Sequence, residues 1–191
     1  MEKNLKQQES HILKIVLFGP ESTGKTTLSK ELAKRYNTVW APEFAREYLQ
    51  KKWNDAATIC AVEDIIPIAI GQTKLENEQL LKANKVLFCD TNILETKIYA
   101  EAYYKDYSNK ELNEAVNRLQ YTLYFLTDID VPFEEDDLRD RPNQRQEMFD
   151  LFKNGLEKHQ CNYQILSGTL ETRLEEAKKT IDTLLSKKAE F

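Results

Sequence analysis

The chain of 191 residues has few cysteines, no long apolar run and no excess of positive charge. Its three cysteines, Cys60, Cys89 and Cys161, are far apart, odd in number and without CxxC spacing. That pattern suggests neither a disulfide framework nor a zinc site. Cys89 sits in an apolar run and reads as a core residue. No apolar stretch approaches the ~20 residues of a membrane span, and the polar run of residues 1–10 lacks the apolar core of a signal segment. A cytoplasmic location with no membrane partner is the expectation. A formal net charge of −5 gives a nucleic-acid partner no support from bulk electrostatics. Internal repeats and Gly/Ser linkers are lacking too. The length and a hydrophobic content of 41% then imply one domain over residues 11–191, preceded by a loose polar tail at 1–10. Two guanine-nucleotide signals are missing: no D-x-x-G occurs, and the run Asn84-Lys85-Val86-Leu87 has Leu where N-K-x-D requires Asp. ATP is therefore the better donor than GTP.

What is present begins at residues 19–26, Gly-Pro-Glu-Ser-Thr-Gly-Lys-Thr, which satisfy G-x-x-x-x-G-K-[ST] at every fixed position. The apolar run Ile15–Phe18 before it reads as a buried strand, and Lys25–Tyr36 after it as a helix. Strand, loop and helix in that order make a chance match improbable. Backbone N–H groups of such a loop form a concave anion nest, reinforced by the positive end of the helix. Gly19 and Gly24 supply backbone angles that a Cβ blocks. Glu21, Ser22, Thr23 and Thr27 complete the candidate phosphate contacts. Lys25 can reach the β and γ phosphates of a bound triphosphate, and the Thr26 hydroxyl can ligate Mg²⁺.

The rest of the chain alternates apolar runs with helical patterns. Strands are expected at 15–18, 38–40, 86–89, 121–126 and 163–166. Helices are expected at 25–36, 43–53, 58–82, 93–104, 110–119, 144–158 and 170–187. This alternation implies an α/β fold with a parallel five-stranded sheet covered on both faces. Pro67 predicts a kink or break in the long third helix, whose Ile59, Val62, Ile66 and Ile70 fit helical spacing as core residues.

Three further segments carry chemistry. Val86–Asp90 is an apolar run ending in a carboxylate, so Asp90 can hold Mg²⁺ beside the phosphate loop. The alternative is a helix cap. After the second strand, Glu43 is placed to accept a proton from an acceptor hydroxyl. Arg46, one turn later, can anchor substrate oxygens, and Trp40, Phe44 and Tyr48 can supply aromatic faces. The alternative there is helix-start electrostatics for Glu43, paired with Arg46, and aromatics packed in the core. Residues 130–145 hold Arg139, Arg141 and Arg145 within seven positions. A lid carrying arginines can close over the donor, stabilise developing phosphoryl charge and exclude water. The alternative is a solvated loop with local ion pairs, since four acidic residues lie beside the arginines.

Taken together, Gly-Pro-Glu-Ser-Thr-Gly-Lys-Thr-Thr-Leu at 19–28, Glu-Phe-Ala-Arg-Glu-Tyr at 43–48, Phe-Cys-Asp-Thr-Asn at 88–92, Asp-Val-Pro-Phe-Glu at 130–134 and Asp-Leu-Arg-Asp at 137–140 resemble the bacterial nicotinamide riboside kinases. These are the kinase domains of multifunctional NAD-salvage regulators. The resemblance implies a P-loop, adenylate-kinase-like fold and transfer of the ATP γ-phosphate, with Mg²⁺, to the 5′-hydroxyl of nicotinamide riboside. On that reading Lys25, Glu43, Asp90, Arg139 and Arg141 are catalytic, Arg145 assists the donor, and Trp40, Glu43, Phe44, Arg46, Tyr48 and Asn92 meet the acceptor. Glu43 and Asp90 could exchange roles. Two positions depart from the family: Pro42 stands where some members have Trp, and Asn92 where Asp is frequent. Other nucleoside or nucleoside monophosphate kinases, and a non-catalytic ATP-binding module, are the alternatives.

Overall fold

The computed structural model describes residues 2–138 and 143–189. At its centre lies β1 (Leu13–Phe18), every residue of which is buried. It pairs in parallel with β3 (Val86–Asp90) on one side and β4 (Leu123–Thr127) on the other. The short β2 (Trp40–Ala41) extends the sheet beyond β3, and β5 (Tyr163–Leu166) extends it beyond β4. The order is β2-β3-β1-β4-β5. The central strands are apolar without alternation because helices cover both faces.

On one face α1 (Lys25–Arg35) and α7 (Leu170–Ala189) enclose a core of Leu28, Leu32, Ala177 and Ile181 against Ile15, Leu17 and Phe125. On the other, α3 (Ile65–Leu80), α4 (Ile93–Tyr103), α5 (Lys110–Asn117) and α6 (Arg145–Lys158) pack around Phe18, Leu87, Leu126 and Phe152. After the neighbouring strands β1 and β3 the chain leaves towards opposite faces of the sheet, into α1 and α4, so a crevice opens at their carboxyl ends, where open α/β sheets bind ligands. A further helix, α2 (Phe44–Ala56), contributes no fully buried residue and roofs one side of that crevice. Among the described residues no helix is long and apolar enough to cross a membrane.

Three expectations are corrected. The long third helix does not begin at Thr58: residues 57–61 are irregular, a 3₁₀ turn spans Val62–Asp64, and α3 starts at Ile65. Pro67 falls in its first turn, where a missing N–H costs nothing. Consequently Ile59 and Val62 are 69% and 47% exposed, and Ile65, Ile68 and Ala69 carry the core instead. The polar tail is not loose either. Glu2–Leu5 form a 3₁₀ turn that buries Leu5, and the Gln7 amide donates to buried Glu76 at 2.8 Å while accepting from the Gln120 N–H at 2.9 Å. Asn77 clamps it as well, accepting from the Gln8 N–H at 2.8 Å and donating to the Lys6 carbonyl at 3.0 Å, so a buried apolar side chain and two polar clamps hold a segment that composition alone reads as solvated.

Candidate active site

The turn after β1 is shaped by steric necessity. Gly19 has φ +135°, and a Cβ there would lie 2.8 Å from the Thr127 hydroxyl on β4. The Thr23 hydroxyl ties the loop to itself and to β4, at 2.8 Å from the Pro20 carbonyl and 2.7 Å from Thr127 Oγ1. Gly24, with φ +82°, caps α1. The Lys25 ammonium folds back across the loop, donating to the carbonyls of Gly19 (2.7 Å) and Pro20 (2.9 Å). The first-turn N–H groups of α1 thus face a concavity bordered by a buried cation, which is a site for a phosphate chain.

Register places a carboxylate beside it. Asp90 pairs with Leu17 across the ladder, so it ends β3 level with the loop. Its Oδ2 accepts from the Thr26 hydroxyl at 2.5 Å, while Oδ1 is buried with no partner among the described residues. Burial, and then the Glu43 charge, push the Asp90 carboxyl up to about 6 against the opposing pull of Lys25 and Thr26. A hydroxyl and a carboxylate with a spare oxygen fit a small divalent cation, which takes few protein ligands when phosphates and water supply the others. Loop, Asp90 and Glu43 all line one cavity of about 730 Å³.

The model of the AAA domain family matches residues 14–173, more than half of the chain. The chain belongs to the AAA domain family. Curated relatives include the trifunctional NAD biosynthesis/regulator protein NadR of Salmonella typhimurium and of Escherichia coli. Each is 29% identical over 128 residues, covering 65% of this chain and 30% of the relative. The chain thus spans less than a third of the length of these relatives over the matched region. NadR in complex with NAD and AMP-PNP superposes with a TM-score of 0.73 at 21% identity, over 92% of this chain and 50% of that one. NadR in complex with NR gives 0.71 at 22% identity, over 90% and 51%. Thymidylate kinase from Ehrlichia chaffeensis gives 0.63 at 15%, over 91% and 100%. These likenesses show the fold, and the adenylate-kinase-like sheet expected from sequence is what the AAA domain chain has.

Within this AAA domain the expected site residues divide. Glu21, Ser22, Gly24, Lys25, Thr26 and Thr27 line the cavity on the loop side, and Trp40, Glu43, Arg46 and Asp90 on the other. Glu43 stands at the N-cap position of α2 but makes no capping hydrogen bond, so its carboxylate is not spent on the helix. The Lys30 ammonium sits 5.3 Å from the Trp40 ring centre. Phe44, Tyr48 and Asn92 are corrections. The Phe44 ring occupies the space above Gly71 of α3, and the Tyr48 hydroxyl donates to Asp64 at 3.0 Å, so both close the α2–α3 seam rather than the cavity. Asn92 is fully buried: Oδ1 caps α4 through the Leu94 and Glu95 N–H groups, and Nδ2 donates to Tyr124 at 2.8 Å. Arg145 donates to the Val131 carbonyl (2.8 Å) and the Ser22 carbonyl (3.1 Å), joining residues 130–138 to the phosphate loop from outside the cavity. Arg139 and Arg141 lie outside the described residues.

Arg46 has a partner that sequence did not indicate. Its guanidinium meets the Asp136 carboxylate with two contacts, at 3.0 and 2.9 Å, latching α2 to the 130–138 segment. On the loop side, the Glu134 N–H donates to Ser22 Oγ at 2.7 Å. The segment therefore bridges both walls of the cavity. Two buried side chains escaped the sequence reading altogether. Glu95, in the first turn of α4, places Oε1 3.5 Å from Lys25 Nζ. Arg173, in the first turn of α7, donates to the Thr23 carbonyl (2.7 Å), the Asp128 carbonyl (3.1 Å) and the Asp130 carboxylate. Glu95 sits where an acidic residue also serves ordinary helix-start chemistry, so only position in space separates the two uses; Arg173 is a cation at a helix start, where the dipole disfavours it, and is held there by its acceptors.

Proposed function

We propose that this chain is an ATP-dependent kinase that phosphorylates the 5′-hydroxyl of nicotinamide riboside to nicotinamide mononucleotide. The observation that carries the reading is the 2.5 Å contact between Thr26 and Asp90 in the same cavity as Glu43. It supports a reading in which a cation-binding pair shares one cavity with a phosphate nest and a candidate base. NadR relatives, described as NAD biosynthesis proteins, and NadR structures with NR and with AMP-PNP support the choice of substrates.

In this reading the loop amides and Lys25 hold the β and γ phosphates, and Thr26 with Asp90 would hold Mg²⁺. The ion, when bound, neutralises charge that builds on the phosphate oxygens. Glu43 accepts the proton of the 5′-hydroxyl as that oxygen bonds to the γ-phosphorus and the bond to the ADP oxygen breaks. Residues 131–138 border the cavity, and Arg139 and Arg141, which lie outside the described residues, are assigned to stabilise the transferring group. Trp40 and the tyrosines Tyr99, Tyr103 and Tyr104 line the acceptor side with aromatic surface suited to a pyridinium ring.

Electrostatics separates nucleosides from nucleoside monophosphates. Glu43 and Asp90 line the cavity, and Arg46, which also lines it, is held by Asp136. An acceptor phosphate would be repelled. A positively charged nucleoside gains. The test is ADP release from Mg-ATP with nicotinamide riboside, uridine, cytidine, thymidine, adenosine and nicotinamide mononucleotide as acceptors, using wild type and Glu43→Gln. Preference for nicotinamide riboside, with a large loss in the variant, supports the proposal. Preference for a neutral nucleoside keeps the kinase and rejects the substrate.

A further inference from the structure

Among the described residues Lys25 has three partners: two loop carbonyls and one carboxylate, Glu95. The carbonyls belong to the loop itself. The carboxylate comes from a different element, and its burial needs a reason. Glu95 is 4% exposed, and burial pushes its carboxyl well above the usual carboxylate range, with Lys25 opposing. Its Oε1 faces Lys25, but Oε2 is buried with no partner among the described residues. Both Glu95 and its helical neighbours Thr96 and Tyr99 line the cavity, on the side of Glu43 and Asp90. An unpaired buried carboxylate oxygen costs free energy unless something completes it.

Donor binding makes that imbalance worse. A triphosphate in the loop draws Lys25 towards its oxygens, as the loop's chemistry requires. Glu95 then loses Lys25, its ion-pair partner among the described residues, while burial, Glu43 and Asp90 still push its carboxyl up. An ionised carboxylate only accepts hydrogen bonds, whereas a protonated carboxyl also donates one. A vicinal diol offers both donors and acceptors, so it completes Glu95 in either state, and Glu95 lines the cavity.

We propose that Glu95 is an acceptor-binding residue that exchanges its partner Lys25 for the vicinal ribose hydroxyls of the acceptor once the donor is bound. The inference rests on the nucleoside kinase reading above. It makes Glu95 a selector for ribose over deoxyribose, because a site built around a hydroxyl rejects the analogue that lacks it. It also links the two substrates: a donor that takes Lys25 frees the carboxylate for the acceptor, so each favours the other.

The test uses the full chain with Glu95→Gln and Glu95→Ala. Binding of AMP-PNP with Mg²⁺, binding of the acceptor with and without AMP-PNP, and steady-state rates on a ribonucleoside and its 2′-deoxy counterpart are measured. Wild type should bind the acceptor more tightly when AMP-PNP is present. In both variants AMP-PNP should bind at least as well as in wild type, since Lys25 is released from competition. The acceptor KM should rise roughly tenfold or more in Glu95→Ala, with a smaller change in kcat, and the preference for ribose should shrink. Weaker AMP-PNP binding together with unchanged acceptor KM would overturn the proposal and make Glu95 a support for Lys25. An unchanged ribose preference in an otherwise active variant would overturn it too. Failure of wild type to phosphorylate any nucleoside would instead remove the reading on which it rests.

Discussion

At the scale of single residues, two charged groups, Lys25 and Asp90, set what the site can do. Lys25→Ala removes the buried cation of the phosphate nest. Turnover should fall by orders of magnitude, far beyond what the drop in melting temperature from leaving buried Glu95 without Lys25 would account for. Near-normal turnover would end the kinase reading. Asp90 gives a pH signature. Its carboxyl is raised from 3.8 to about 6, so between those values the folded empty protein holds a proton that the unfolded chain has lost. Its contribution to stability is full below about 3.8 and fades as pH rises through 6. Metal binding runs the other way, because the cation needs the carboxylate. Mg²⁺-dependent AMP-PNP binding should weaken as pH falls through about 6, and Asp90→Asn should weaken binding at pH 8 while flattening that dependence. A wild-type binding curve flat from pH 5 to 8 would contradict the assignment.

At the scale of elements, α2 is held by contacts that sequence did not forecast. Its Phe44 ring lies against Gly71, where a Cβ would come within 2.1 Å of the ring. Gly71→Ala must push α2 off α3 or deform both helices. A loss of about 1–3 kcal/mol in urea unfolding is expected, together with a raised acceptor KM, because Glu43 and Arg46 ride on α2. Unchanged stability would show that the seam is slack. The Arg46–Asp136 latch is different in kind: both groups contact solvent, so its worth to stability is at most about 1 kcal/mol. Its value lies in where it holds the segment that spans the cavity. Arg46→Ala should leave the unfolding midpoint nearly unchanged and affect turnover.

At the scale of the whole molecule, the crevice exists because the strand order reverses direction around β1. Lys25, Thr26, Glu43, Asp90 and Glu95 all come from the carboxyl ends of strands or the first turns of the helices that follow. The N-terminal segment closes the opposite side, with Leu5 3% exposed and Gln7 bonded to Glu76. Leu5→Ala should therefore cost about 2 kcal/mol of stability, read by denaturant unfolding, without altering KM for either substrate. A loose tail would give no change.

The sequence by itself determined the phosphate loop, because Gly19, Gly24, Lys25 and Thr26 act within eight contiguous residues and need only local backbone geometry. It determined the alternation of strands and helices, since buried parallel strands are continuous apolar runs. It placed Asp90 at a strand end, which is where the register delivers it. Tertiary structure alone decided which way the amphipathic pieces turned. Helical spacing nominated Ile59 and Val62 for the core, but the break before Ile65 rotated that face outward. Tyr48 and Phe44 carry the chemistry of a ligand pocket, yet Asp64 and Gly71 hold them in a helix seam. Glu95 and Arg173 look like any charge in a first helical turn until the sheet brings them beside Lys25 and Thr23. Local signals travel along the chain; a charge acquires its role from partners 70 or 150 residues away, at separations of |i−j| = 70 and 150, and only packing chooses those partners.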